Sequence, residues 1–109
     1  MELHTEVWVA ALVRRAELDG AFAAVTRKGD ARAGQVLVRV FNQSDRSAQL
    51  FTAVDDPDGT AWMEPLPGAS EGDLDAYVER QLRYDPDLWV VEIEDRQGRH
   101  FLTEPVRIP

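Results

Sequence analysis

From Ser70 to Thr103 the apolar positions change period. Leu74, Tyr77, Val78 and Leu82 recur at helical spacing and predict a helix with one apolar stripe. Ser70 suits its N-cap, with an acid three positions on at Asp73, close to a capping box. Glu71, Asp73 and Asp75 crowd the first turn, and Arg80 and Arg83 the last, as a helix dipole favours. Pro86 ends the helix because it drives Asp85 toward extended angles. From Leu88 to Glu94 the period shortens to two, with Trp89, Val91 and Ile93 on one side and Val90, Glu92 and Glu94 on the other. Asp95-Arg96-Gln97-Gly98 predicts a turn, and Arg99–Thr103 the returning arm of a hairpin. Neither unit is stable alone, so both apolar faces must share a core with the rest of the chain.

Upstream, Glu6–Asp19 is apolar on most faces. Its length and alanines favour a helix over a two-sided buried strand from Glu6 to Val13, with Thr5 as cap and Gly20 just past the end. Short strands are expected at Phe22–Lys28, Gln35–Phe41, Ala48–Val54 and Ala61–Glu64. Gly29–Gly34, Asn42–Ser47 and Asp55–Gly59 form the loops and turns between them. The tail Glu104–Pro109, with two prolines, is expected along the surface. Such short connections favour an antiparallel meander. The expected fold is α+β: a single curved antiparallel sheet of about five or six strands, with two helices packed on one face.

The 109 residues fit one domain, 1–109. With no cysteine, disulfides, thiolate–zinc sites and thiol nucleophiles are excluded. No signal pattern opens the chain and no apolar run approaches the roughly 20 residues that span a bilayer, so a cytoplasmic protein without membrane partners is expected. The net charge of −8 is uneven: residues 1–54 carry +1 and residues 55–109 carry −9. That balance repels a phosphate backbone and argues against nucleic acid. One lysine stands against eleven arginines, the bias of a GC-rich bacterial coding sequence rather than a sign of bidentate recognition.

Trp8-Val9 with Arg14-Arg15, Gly29-Asp30 with Ala33-Gly34, the run Tyr84-Asp85-Pro86-Asp87-Leu88-Trp89-Val90-Val91-Glu92, and Gly98-Arg99-His100-Phe101-Leu102 together resemble the bacterial domain of unknown function family 1491. The likeness runs over nearly the whole chain, and the run from Asp85 to Glu92 is its most specific part. It implies a stand-alone bacterial domain of this length and brings no activity, cofactor or catalytic residue.

The residues themselves offer few constellations for chemistry. Gly29–Gly34 has phosphate-loop glycine spacing, but Gln35-Val36 stands where Lys and Ser or Thr are needed, so its glycines are expected to supply positive φ in a hairpin loop. Asp55, Asp56 and Asp58 before Gly59 lack the later ligands of a calcium loop. Glu92 and Glu94 lie about 7 Å apart along one strand face. With His100 across the hairpin they are the candidate acid, base or metal-ligand group, against a plain solvent face paired with arginines. Asp85 and Asp87 are candidate binding residues and, by preference, turn formers. Arg14, Arg15, Arg27 and Lys28, with Arg32, form the basic cluster, suited to an acidic partner, to the chain's own acids or to a second copy. Trp62, between acids and prolines, is the candidate exposed contact.

These patterns point first to a non-enzymatic protein-binding or adaptor module without cofactor. The alternatives are a small enzyme or ligand-binding domain built on Glu92, Glu94 and His100, and a structural homodimer. The partner is expected to be another protein or a second copy.

Overall fold

In the computed structural model, which describes residues 3–108, the chain forms α1 (Thr5–Leu18), β1 (Phe22–Arg27), β2 (Val36–Asn42), β3 (Ser47–Asp56), β4 (Gly59–Met63), α2 (Glu71–Tyr84) and β5 (Trp89–Asp95). The class is α+β, an open sheet of five strands with two helices. Ser70 caps α2 as its sequence predicts, its Oγ accepting the Asp73 N–H at 3.2 Å. The N-cap of α1 is His4 rather than Thr5, and no side chain caps it. The first free N–H groups of α1, on Thr5 and Glu6, instead donate to the carbonyls of Arg32 and Ala31 at 3.1 and 2.9 Å. No helix among the described residues is long and apolar enough to cross a membrane.

The sheet order is β1-β5-β2-β3-β4. The expected antiparallel meander holds for β2-β3-β4, but the sheet is mixed, because β5 inserts between β1 and β2 and runs parallel to β2. The expected hairpin arm at Arg99–Thr103 does not form; β5 pairs antiparallel with β1 instead. Trp89, Val90 and Val91 are all buried, the two-sided burial of an interior strand that a terminal hairpin could not provide. The chain after β5 also breaks away from extended geometry at Gly98 (φ +70) and Phe101 (φ +60). Two hydrogen bonds from Arg15 to the Phe101 carbonyl, at 3.2 and 3.0 Å, hold it there.

The helices pack on opposite faces of the sheet, not on one. Trp8, Val9, Leu12 and Ala16 of α1 join Val36, Val38, Val40, Val91 and Ile93 in the larger core. Leu74, Tyr77, Val78 and Leu82 of α2 cover Leu37, Leu50 and Leu88 on the other side. Because side chains alternate along a strand, the run Val36-Leu37-Val38 supplies an apolar floor to both faces. A single-sided sheet would have needed a polar residue at Leu37.

Since β5 lies between them, β1 and β2 do not form a hairpin, and the segment joining them must cross the start of β5. Gly29 and Gly34 make this crossing: a Cβ on either would lie inside 3.0 Å of the Asp87 carbonyl. Neither has positive φ, so what they provide is clearance and not a left-handed turn. The crossing is tied by Asp30 N–H to the Asp87 carbonyl at 2.9 Å, the Trp89 indole N–H to the Asp30 carbonyl at 2.7 Å, and the Trp89 N–H to the Gln35 carbonyl at 2.8 Å.

The C-terminal segment is pinned to the β4 edge instead of trailing over the surface. Val106 forms a parallel bridge with Trp62, through Trp62 N–H to the Pro105 carbonyl at 2.8 Å and Arg107 N–H to the Trp62 carbonyl at 2.7 Å. Arg107 also pairs with Asp56 at 3.0 Å. Pro109 lies outside the described residues.

Candidate binding surface at the open β1 edge

Strand β1 pairs with β5 on one side and is unpaired on the other among the described residues. It carries little shielding apolar bulk of its own. Ala23 is its only buried residue, and the register slips by one residue between Val25 and Arg27. Helix α1 runs back along this edge and leaves a trough of about 710 Å³ between itself and β1. Val9, Ala10, Val13, Leu18, Val25 and Trp89 form its apolar lining. Leu18 is 72% exposed and Val25 42%, and Phe22, at the start of the same edge, is 63% exposed. Glu6, Arg14, Glu17 and Lys28 stand around the rim.

The basic cluster expected from the sequence is split by this geometry. Arg14 and Lys28 reach the trough. Arg15 turns the other way, to the Phe101 carbonyl. Arg27, past the register slip, lines a separate cleft with Glu79 and Glu92 on the α2 side.

Glu92 and Glu94 are exposed and line a cleft with Arg39 and Asp75 beneath α2. Arg39, whose side chain is largely buried, donates to Asp75 and lies 3.8 Å from Glu71. His100 is on the opposite face, packed edge-on against Phe51 of the larger core with ring centroids 5.3 Å apart. Burial there pushes the imidazole below its usual value, and its Nδ1 accepts the Leu102 N–H at 2.9 Å. The sheet therefore separates His100 from the two glutamates.

Asp85 and Asp87 build the turn after α2: Asp85 Oδ1 accepts the Asp87 N–H at 3.1 Å, and the Asp87 carbonyl receives Asp30. Trp62, expected as an exposed contact, is fully buried (0% exposed). The flanking acids and prolines gave the wrong impression, because Glu104 comes in from the C-terminal segment to cover it. Glu104 Oε1 accepts the Trp62 indole N–H at 3.0 Å, and Oε2 accepts that of Trp8 at 3.2 Å. Burial raises the Glu104 carboxyl, but the hydrogen bonds it accepts from Trp62, Trp8, the backbone and Thr103 together hold it below its usual value.

Asp95 is a further charged group, and the fold buries it. It is 2% exposed and accepts from the N–H groups of Gln97 and Arg99 and from two guanidinium nitrogens of Arg99, at 2.8 to 3.1 Å. Arg99, against the effect of burial, holds this carboxyl well below the usual range. Arg99 also donates to the Asp19 carbonyl at 3.2 Å and stacks over the Phe101 ring at 4.9 Å, joining the end of α1 to the segment after β5. The i,i+4 spacing of Asp95 and Arg99 across a Gly-containing turn was the signal available for it.

The family model described as "Protein of unknown function (DUF1491)" matches residues 3–103. No curated protein matches the chain. Among solved structures, the crystal structure of a DUF1491 family protein from Caulobacter crescentus CB15 is similar at 59% identity and a TM-score of 0.93, covering 99% of this chain and 100% of that one. An NMR structure of a DUF1491 family protein from the same organism is similar at 60% identity and 0.91, covering 99% of each chain. The solution structure of protein Atu0922 from A. tumefaciens is similar at 32% identity and 0.83, covering 99% of this chain and 98% of that one.

Proposed function

We propose that this chain, which belongs to the DUF1491 family of proteins of unknown function, is a protein-binding module that takes up an extended polypeptide along β1. The observation that carries the reading is the coincidence of an unpaired strand edge with an apolar trough opening beside it. A strand edge offers main-chain donors and acceptors to an incoming strand, and a neighbouring trough gives its alternate side chains somewhere to go. Exposed Leu18, Phe22 and Val25 supply the apolar contact, and on a rim shared with Glu6 and Glu17 the cations of Arg14 and Lys28 offer partners to an acidic side chain on the ligand.

Selection of displayed random peptides against the wild-type protein tests this. The expected binders are extended, with alternating apolar positions and an acid, and lose affinity when Leu18 and Val25 are both changed to Lys. Binders indifferent to that double change, or no enrichment at all, would count against the reading.

A further inference from the structure

Resting on that reading, we propose that the occupant of the β1 edge is a second copy of this chain, joined about a two-fold axis at Ala24 so that Glu17 of each copy meets Lys28 of the other.

Charge restricts where two copies can meet. Each chain carries −8, and on the α2 side of the sheet five acids, Glu71, Asp75, Glu79, Glu92 and Glu94, outnumber the three arginines, Arg27, Arg39 and Arg46, so two such faces would repel. At the α1–β1 edge two acids, Glu6 and Glu17, are balanced by two cations, Arg14 and Lys28. This strip lies within the half of the chain that carries +1. A neutral strip on an acidic protein is a surface where self-repulsion falls away.

The register follows from the pleat. In an antiparallel pair, opposed residues project to the same face, so a two-fold axis perpendicular to the sheet must pass through a residue and not between two. An axis at Ala24 sets Ala23 against Val25, within the regular stretch, and Phe22 against Thr26, at the register slip. It covers the exposed Val25 on the α1 side and the exposed Phe22 on the α2 side, with the small Ala24 at the point of closest approach. Two five-stranded sheets become one of ten.

The helices then bring the charges together. Leu18, at the end of α1, leads through a short turn into Phe22, so Glu17 lies at the start of β1. The N-terminus of α1 is bonded to Ala31 and Arg32, so the opposite end of the edge is where Lys28 lies. A two-fold axis between these ends carries Glu17 of one copy to Lys28 of the other, twice per dimer.

The contact is small. An edge about 21 Å long by helix rise and roughly 20 Å deep offers on the order of 400 Å² per copy, the range of weak, reversible association. Association of this class is weak, so the measurement must reach about 1 mM.

Sedimentation equilibrium on the full chain, with Lys28→Glu and Glu17→Lys variants alone and mixed, tests the arrangement. Wild type is expected to dimerise reversibly, and each variant alone to associate about tenfold more weakly, since it opposes like charges at two points. An equimolar mixture of the two should associate as wild type does, because each variant restores the pair the other has lost. A Val25→Lys variant should be monomeric with its circular dichroism unchanged. A wild type that stays monomeric at 1 mM overturns the proposal, as does a dimer that ignores all three substitutions. Peptide capture at the same edge by a strictly monomeric protein would leave the binding reading standing and remove only the second copy.

Discussion

The indole rings of Trp8 and Trp62 stack with centroids 5.3 Å apart and planes 22° from parallel, and the carboxylate of Glu104 accepts a hydrogen bond from each. One side chain from the C-terminal segment thus satisfies the polar atoms of the largest residues on α1 and β4. A buried indole N–H without an acceptor is costly, so the apolar stack depends on a charged residue far away in sequence.

Replacing Glu104 with Gln leaves one acceptor oxygen for two indoles and turns an amide donor toward the other. A loss of about 1–3 kcal/mol is expected in urea unfolding followed by tryptophan fluorescence. Amide exchange at Arg107, whose N–H is bound to the Trp62 carbonyl, should quicken at the same time. Unchanged stability together with unchanged exchange would mean that the segment is held by something other than this carboxylate.

Gly29→Ala or Gly34→Ala forces a methyl group against the Asp87 carbonyl, which is backbone and has nowhere to go. Each should cost about 3 kcal/mol or more, or prevent folding. Gly20→Ala is the control. Its φ of +86 imposes strain of about 1 kcal/mol, but nothing lies within 4 Å of the added atom. Thermal melts that rank Gly20 at or above the other two would show that the crossing is looser than described.

The Asp95–Arg99 pair makes stability depend on acid. The folded carboxyl lies below its usual value of 3.8, so its stabilising contribution is fully present above that value and is lost as the pH falls through the range below it. Asp95→Asn should cost about 2 kcal/mol at neutral pH and flatten this acid limb. Urea midpoints measured from pH 7 to pH 2 give both quantities. An acid limb equally steep in the variant would assign it to other carboxylates.

What the sequence made legible was what lay in local periodicity. The Ser70 cap, the stripe from Leu74 to Leu82, and the alternation of Trp89, Val91 and Ile93 on the core side all stand in the fold. The errors came from long-range choices. Local spacing pairs β5 with the residues that follow it, whereas its two-sided burial calls for neighbours far back in the chain. Leu37 between two valines, and Leu88 just ahead of Trp89, were the traces of a second core, and with it of helices on opposite faces. At the open edge, Arg14 and Lys28 were recognised as basic, but Leu18, Phe22 and Val25 became meaningful only once β1 was known to end the sheet. Glu104 was invisible for the same reason: nothing near it in sequence says that it will meet two indoles.

The placement of β5 also sets a timetable. The strand that joins β1 to β2 is the last to leave the ribosome, so during synthesis the β2-β3-β4 ribbon can form while β1 and α1 wait for it. The pairing of β1 and β2 through β5 begins only once β5 has emerged, so a message truncated before Trp89 yields two halves with no strand to unite them, material for proteolysis rather than a smaller version of the same fold.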